Sequence, residues 1–186
     1  FQTLSNPDLL ERLTWTAARH AVPHDKIVVE VLETVLLGDS IAEMDVAQQI
    51  ARLVEAGFGA RLDDFGNGYA GLTHLAQMRV TGIKIDRGLI RTILTDATSD
   101  KIVRAILDLT RDLGLDVVAE GVESFALAHR LAAQGCQNVQ GYAIARPMPV
   151  ADLLPWLDSY DPKATAAAVK AAAETDGAKA QAWRAG

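Results

Sequence analysis

Apolar and polar positions alternate in blocks along the chain, and the blocks predict a repeating strand–helix order. Leu9, Leu10, Leu13 and Trp15 follow Ser5-Asn6-Pro7-Asp8, which reads as a helix start. Asn6 or Ser5 is placed to cap, Pro7 fits the first turn, and Asp8 suits the positive end of the dipole. Pro23 is the expected stop. Ile27-Val28-Val29-Glu30-Val31-Leu32 is a short β-branched run, hence a buried strand. A helix is predicted from about Ser40 to Glu55, closed by Gly57.

The alternation then recurs. Gly59 to Asp63 reads as a strand, followed by a glycine-rich turn and a short helix near Leu72–Met78. Thr81 to Asp86 reads as a strand, and Ser99 to Leu113 as a helix with Ile102, Val103, Ile106, Leu107 and Leu109 on one broad face. Leu115 to Glu120 is a strand, Phe125 to Gln134 a helix closed by Gly135, Gln137 to Gly141 a last strand, and Val150 to Leu157 a last helix. Such repetition implies a parallel sheet.

The polar residues within these blocks fall at strand ends: Glu30, Asp63, Lys84 with Asp86, Glu120 and Gln140. They are separated by 33, 21, 36 and 20 residues, each about one strand–helix unit, so each group returns to the same edge of the sheet. Functional groups at the C-terminal ends of several parallel strands point to a β/α barrel. An open doubly wound sheet is the structural alternative.

Composition narrows the chemistry. Of 186 residues, 49% are hydrophobic and 23% charged, which excludes disorder of the whole chain. The net charge of −6 leaves no basic face for a nucleic-acid polymer. An anionic substrate therefore calls for a divalent cation held by carboxylates. The single cysteine, Cys136, forms no internal disulfide and fits a reducing compartment. From Asp161 onward the composition shifts: eleven of 26 residues are alanine, and this tail reads as helical or disordered, with no catalytic role.

The strongest local signal is Asp63-Asp64-Phe65-Gly66-Asn67-Gly68-Tyr69. Two adjacent carboxylates repel unless a cation neutralises them. Lys84 and Asp86 stand two apart in a strand and point to one side, either as a plain ion pair or as groups that position a water or a phosphate oxygen. Glu30 follows apolar residues and needs a partner or a metal. Glu120 and Glu123 repeat the spacing of Glu30 and Glu33; Glu33 and Glu123 act either in catalysis or in bracing loops. The four histidines are not spaced as a metal cluster and read as surface or helix residues.

Val29-Glu30-Val31-Leu32-Glu33, Asp63 to Tyr69, Lys84-Ile85-Asp86, Glu120-Gly121-Val122-Glu123 and Gln140-Gly141-Tyr142 resemble, in this order, the motifs of the EAL domain, the bacterial cyclic-di-GMP phosphodiesterase family. The resemblance covers residues 1 to 157 and implies a modified TIM-type (β/α)8 barrel that cleaves cyclic di-GMP to linear pGpG with two Mg²⁺ or Mn²⁺ ions. It implies that Glu30, Asp63 and Asp64 bind metal, with Asp63 bridging, and that Asp86 lies beside them. It further implies that Lys84 holds the attacking water and Glu120 acts as general base or water ligand. Glu33 would anchor the loop after Asp64, Gln140 would border the substrate, and Glu123 would support the site.

Three departures from the family pattern stand out. The Glu-Ala-Leu motif and a strand asparagine are absent ahead of Phe1, so the first strands of the barrel are expected in a preceding segment. Leu32 replaces a threonine, and Ala70-Gly71 replace a serine pair. The domain is expected to span 1–160 and the tail 161–186. A homodimer, upstream sensor or diguanylate cyclase domains, and a cytoplasmic location, as such or as the cytoplasmic part of a membrane-bound protein, complete the expectation. A degenerate receptor or scaffold that binds cyclic di-GMP, and a metal-dependent enzyme for another phosphoester, are the competing functions.

Overall fold

A computed structural model describes residues 4, 6–32, 40–66, 75 and 78–172. The chain divides into two compact units, Phe1–Asp86 with Asp108–Val118, and Arg87–Leu107 with Ala119–Gly186.

The first unit contains α1 (Leu9–Arg19), β1 (Val28–Leu32), α2 (Ser40–Glu55), β2 (Gly59–Phe65), β3 (Gly82–Ile85) and most of β4 (Asp116–Ala119), with the strands in the order β1-β2-β3-β4. β1 and β3 both run parallel to β2. Val46, Ile50 and Leu53 form one face of α2 and are buried, as are Ala60, Leu62 and Ile83 of the strands. Each of these valine, leucine and isoleucine side chains contributes roughly 1.5–3 kcal/mol by leaving water. β1 is less buried than its sequence suggests: Val28 and Leu32 are exposed and only Val31 is enclosed. Among the described residues β2 is the strand paired with it.

Helix ends explain why strand follows helix so regularly. Val22, Phe58 and Leu115 each donate their N–H to the carbonyl five residues back, at Ala17, Leu53 and Thr110. The residue before each lies in the left-handed region: Ala21 at φ 52, Gly57 at 91 and Gly114 at 68. This motif caps the last carbonyls and turns the chain out of the helix. α1 therefore ends at Arg19 and the chain turns at Ala21, ahead of Pro23, whose backbone is already extended. At its other end, Asn6 Oδ1 accepts the Asp8 N–H at 2.9 Å.

The second unit contains α3 (Arg87–Thr92), the first turns of α4 (Ala97–Asp112), Ala119 at the end of β4, α5 (Phe125–Ala133), β5 (Asn138–Val139) and α6 (Val150–Ser159). β5 joins the end of β4 through the Gln140 N–H, which donates to the Ala119 carbonyl at 2.9 Å. α4 begins earlier than the sequence suggests because Asp96, not Ser99, caps it: the Asp96 carboxylate accepts the N–H groups of Thr98 and Ser99 at 3.0 and 3.1 Å. Its buried face holds Ser99, Val103, Ile106 and Leu107, while Ile102 is exposed. α5 ends as the other helices do, with Gly135 at φ 89 and the Cys136 N–H donating to Leu131. α6 continues through Pro155 to Ser159, and Val150, Leu153, Leu154 and Leu157 are exposed. Residues 162–172 are helical, while 173–186 of the alanine-rich tail lie outside the described residues. Most of the short helix read near Leu72–Met78 also lies outside them.

Candidate functional site

The acidic strand ends of the first unit are organised by an irregularity in β2. Leu62 pairs with Ile83 and Phe65 with Ile85, so Asp63 and Asp64 together face the single position of Lys84. One extra residue in a strand bends it and re-aims the side chains that follow. Here it returns Phe65 to the buried face shared by Ala60 and Leu62, which strict alternation would deny it. Asp64 takes up the distortion at φ 57, a region that aspartate enters more easily than most residues. Its N–H donates to Asp63 Oδ1 at 3.1 Å.

Lys84 lies on this bulge. Its Nζ is 2.9 Å from Glu30 Oε2 and 3.1 Å from Asp63 Oδ1. The lysine side chain is 6% exposed, against 20% for Asp63 and 44% for Glu30. A buried ammonium needs such partners, because its loss of hydration is otherwise uncompensated. The pairing gathers three sequence-predicted residues from three strands. Asp86, immediately after β3, is buried in the same unit. Glu30 and Asp63 meet at Lys84 Nζ, and carboxylate oxygens of this kind are the donors that suit a hard divalent cation. Glu33 and residues 67–71 lie outside the described residues.

The second unit contributes a separate group. Glu120 and Gly121 follow β4, Gln140 follows β5, and with Arg87, Glu123, Gly141 and Tyr142 they line one open cavity of about 220 Å³. Glu120, Glu123 and Gln140, all singled out from the sequence, thus line the same cavity. Besides the glycines Gly121 and Gly141, two lining residues, Arg87 and Tyr142, were not singled out from sequence as site residues. Arg87 could have been found from its place directly after Asp86, and Tyr142 from its place after Gln140-Gly141. The Arg146 guanidinium lies 4.4 Å above the Tyr142 ring, and Arg91 Nε is 3.8 Å from Glu123 Oε1. The lining residues therefore include two carboxylates, one arginine, an amide and an aromatic ring.

His24, read from sequence as a surface or helix residue, is structural. Its ring stacks on Phe58 with centroids 4.2 Å apart, and Nδ1 is 2.7 Å from the Ala56 carbonyl. Among the described residues no helix is long and apolar enough to cross a membrane.

The sequence profile described as the EAL domain matches residues 2–147. The bifunctional diguanylate cyclase/cyclic di-GMP phosphodiesterase MucR of Pseudomonas aeruginosa is 38% identical over 136 residues, 73% of this chain and 19% of that protein. The probable cyclic di-GMP phosphodiesterase PdeN of Escherichia coli is 36% identical over 141 residues, 75% of this chain and 26% of that protein. The chain thus spans between 19% and 26% of the length of these curated relatives. Among solved structures, the P. aeruginosa MucR phosphodiesterase in complex with cyclic di-GMP superposes with a TM-score of 0.72 at 34% identity, covering 81% of this chain and 60% of that one. A manganese/cyclic-di-GMP complex of Klebsiella pneumoniae BlrP1 gives 0.69 at 32% identity, covering 76% and 36%.

Proposed function

The chain belongs to the EAL domain family, and from that premise we propose that it hydrolyses cyclic di-GMP to linear pGpG at a site holding two Mg²⁺ or Mn²⁺ ions. The fold, strands and helices alternating over a parallel sheet, is that of a partial TIM-like barrel. The observation that carries the reading is the convergence of Glu30, Asp63 and Lys84 at the bulge, at 2.9 and 3.1 Å.

Glu30, Asp63 and Asp64 would hold the ions, with Asp86 beside them. When bound, the ions neutralise the phosphodiester and activate a water. Lys84 orients that water and offers a positive charge to a phosphate oxygen. Glu120 accepts the proton that the water gives up. Gln140 and Glu123 hold the nucleotide in the cavity that they line with Tyr142. The domain runs over 1–160, with 161–186 as an appendage. The chain works as a homodimer in the cytoplasm, as part of a longer protein with sensor or cyclase domains, an arrangement supported by the bifunctional name of MucR and by the similarity to the oxygen sensor DosP of E. coli.

Incubation with cyclic di-GMP and Mn²⁺, with product separation by chromatography, tests this. pGpG formation that is lost with chelator and with Glu120→Ala supports the enzyme. Tight binding of cyclic di-GMP without product assigns the chain a receptor role instead.

A further inference from the structure

We infer that Asp116 is a positioning residue for the strand-end carboxylates: it draws the Arg61 guanidinium across Gly82 and so keeps that cation off Glu30. This role rests on reading Glu30 as a metal ligand, whereas Arg61 and Asp116 lie outside the residues proposed to hold metal or water. Arg61 stands in register with Glu30 of β1 on one side and with Gly82 of β3 on the other. Register partners in adjoining strands point to one face of a sheet and lie roughly 5 Å apart. Glu30 is therefore within easy reach of an arginine at 61. The guanidinium nevertheless turns the other way, over β3, and pairs with the Asp116 carboxylate at the start of β4.

Gly82 permits the crossing. A Cβ there would lie 3.1 Å from the Asp116 Cβ and 2.5 Å from the Asp116 carbonyl oxygen. The aspartate thus lies hard against the glycine, and no side chain of β3 stands between positions 61 and 116. Released from Asp116, the guanidinium meets Glu30 as the carboxylate in its own row of the sheet. Arginine and carboxylate suit a bidentate pairing that takes up both oxygens, and a divalent ion has to displace it. Holding Arg61 at Asp116 spares metal binding at Glu30 that competition.

The test is the Mn²⁺ affinity of the full chain without nucleotide, read from the free-ion electron paramagnetic resonance signal, alongside the thermal midpoint of each variant. Asp116→Ala should bind Mn²⁺ about tenfold more weakly, the scale on which a metal ligand responds to loss of a group that orients it. Asp116→Glu, which keeps the anion, should stay near wild type. Arg61→Ala combined with Asp116→Ala removes the competing cation as well, and should regain wild-type affinity although its midpoint stays as low as that of Asp116→Ala. Wild-type binding by Asp116→Ala, or affinity that merely follows the midpoint, overturns the inference. So does a loss in Asp116→Ala matched by an equal gain in Arg61→Ala, the pattern of two distant charges. Should Asp116→Ala not fold, Asp116→Asn takes its place, with weaker binding expected and unchanged binding overturning the inference. Mn²⁺ binding that survives Glu30→Gln unaltered overturns the ligand reading of Glu30, and this inference with it; a loss there with none in Asp116→Ala overturns the inference alone.

Discussion

A Cβ on Gly121 would lie 2.5 Å from the Cβ of Arg87 and 3.3 Å from its Cα. The backbone at Gly121 also has φ +66. Both residues line the cavity with Glu120 and Gln140, so the glycine lets Arg87 and the Glu120 turn approach each other. Gly121→Ala should cost about 2 kcal/mol or more, because the atoms in the way are the arginine's stem and backbone, not its mobile end. Gly114→Ala is the control. It has a similar φ of +68 but open space around the added carbon, so it should cost only about 1 kcal/mol. Urea unfolding of both variants reads the difference, and equal losses would remove steric contact from the explanation.

The reverse substitution is available at the end of α1. Ala21 takes the left-handed position at φ 52 that Gly57, Gly114 and Gly135 take after the helices α2, α4 and α5. It is exposed, so its methyl group gains little from burial. Ala21→Gly should stabilise the chain by about 0.5–1 kcal/mol, the strain relieved exceeding the added freedom of the unfolded chain. A thermal midpoint that falls instead would show that the turn tolerates alanine without strain.

Stability should also fall at acid pH for a definable reason. Hydrogen bonding to Arg130 is the main influence holding the Asp100 carboxyl below its ordinary value of 3.8, aided by the charge of Arg130 and by Gln134. Arg130 Nε donates to Asp100 Oδ1 at 2.8 Å, and Gln134 Nε2 to the same oxygen at 2.6 Å. A carboxyl lowered on folding stabilises the native state above its unfolded value, and the benefit is lost as pH falls through the lower folded value. Asp96 shifts in the same direction through its bonds to Ser99 and Thr98. The stability of the wild type should therefore drop below about pH 4. Asp100→Asn should lose about 1–2 kcal/mol at neutral pH and show a shallower acid limb. Denaturant midpoints from pH 2.5 to 7 provide the check.

The sequence made the repeat legible because its causes are local. Helix-ending glycines at 57, 114 and 135 and β-branched strand cores can each be read within a few residues. The residues at strand ends were legible for the same reason, since their spacing follows the repeat. What escaped was set by tertiary structure. The exposure of Val28 and Leu32 depends on how many strands lie beside β1, and the exposure of Ile102 on which turn of α4 faces the core. The end of α1 depends on Ala21 entering a conformation that its side chain disfavours. The bulge is the clearest case: Asp63-Asp64 signals charge, but the extra residue appears only when Leu62 and Phe65 are matched to Ile83 and Ile85. Arg87 directly follows Asp86, but that adjacency alone does not show that Gly121, from another segment, packs against it.

Asp64 combines the two demands of the bulge, conformation and charge, and substitutions can separate them. The position needs a residue that tolerates φ 57, which asparagine does and valine does not. Asp64→Asn should leave stability within about 0.5 kcal/mol of wild type. Asp64→Val should cost about 1–2 kcal/mol, since a β-branched side chain meets the following carbonyl there. Catalysis should follow a different order. Removing the charge while keeping the shape takes away a proposed metal ligand, so Asp64→Asn should reduce cyclic-di-GMP hydrolysis by about a hundredfold or more. The two measurements, a thermal midpoint and a rate of pGpG formation, should therefore rank Asp64→Asn as near wild type in one and severely impaired in the other. If Asp64→Asn hydrolysed the nucleotide at the wild-type rate, Asp64 would serve only the backbone turn, and the ions would have to be held without it.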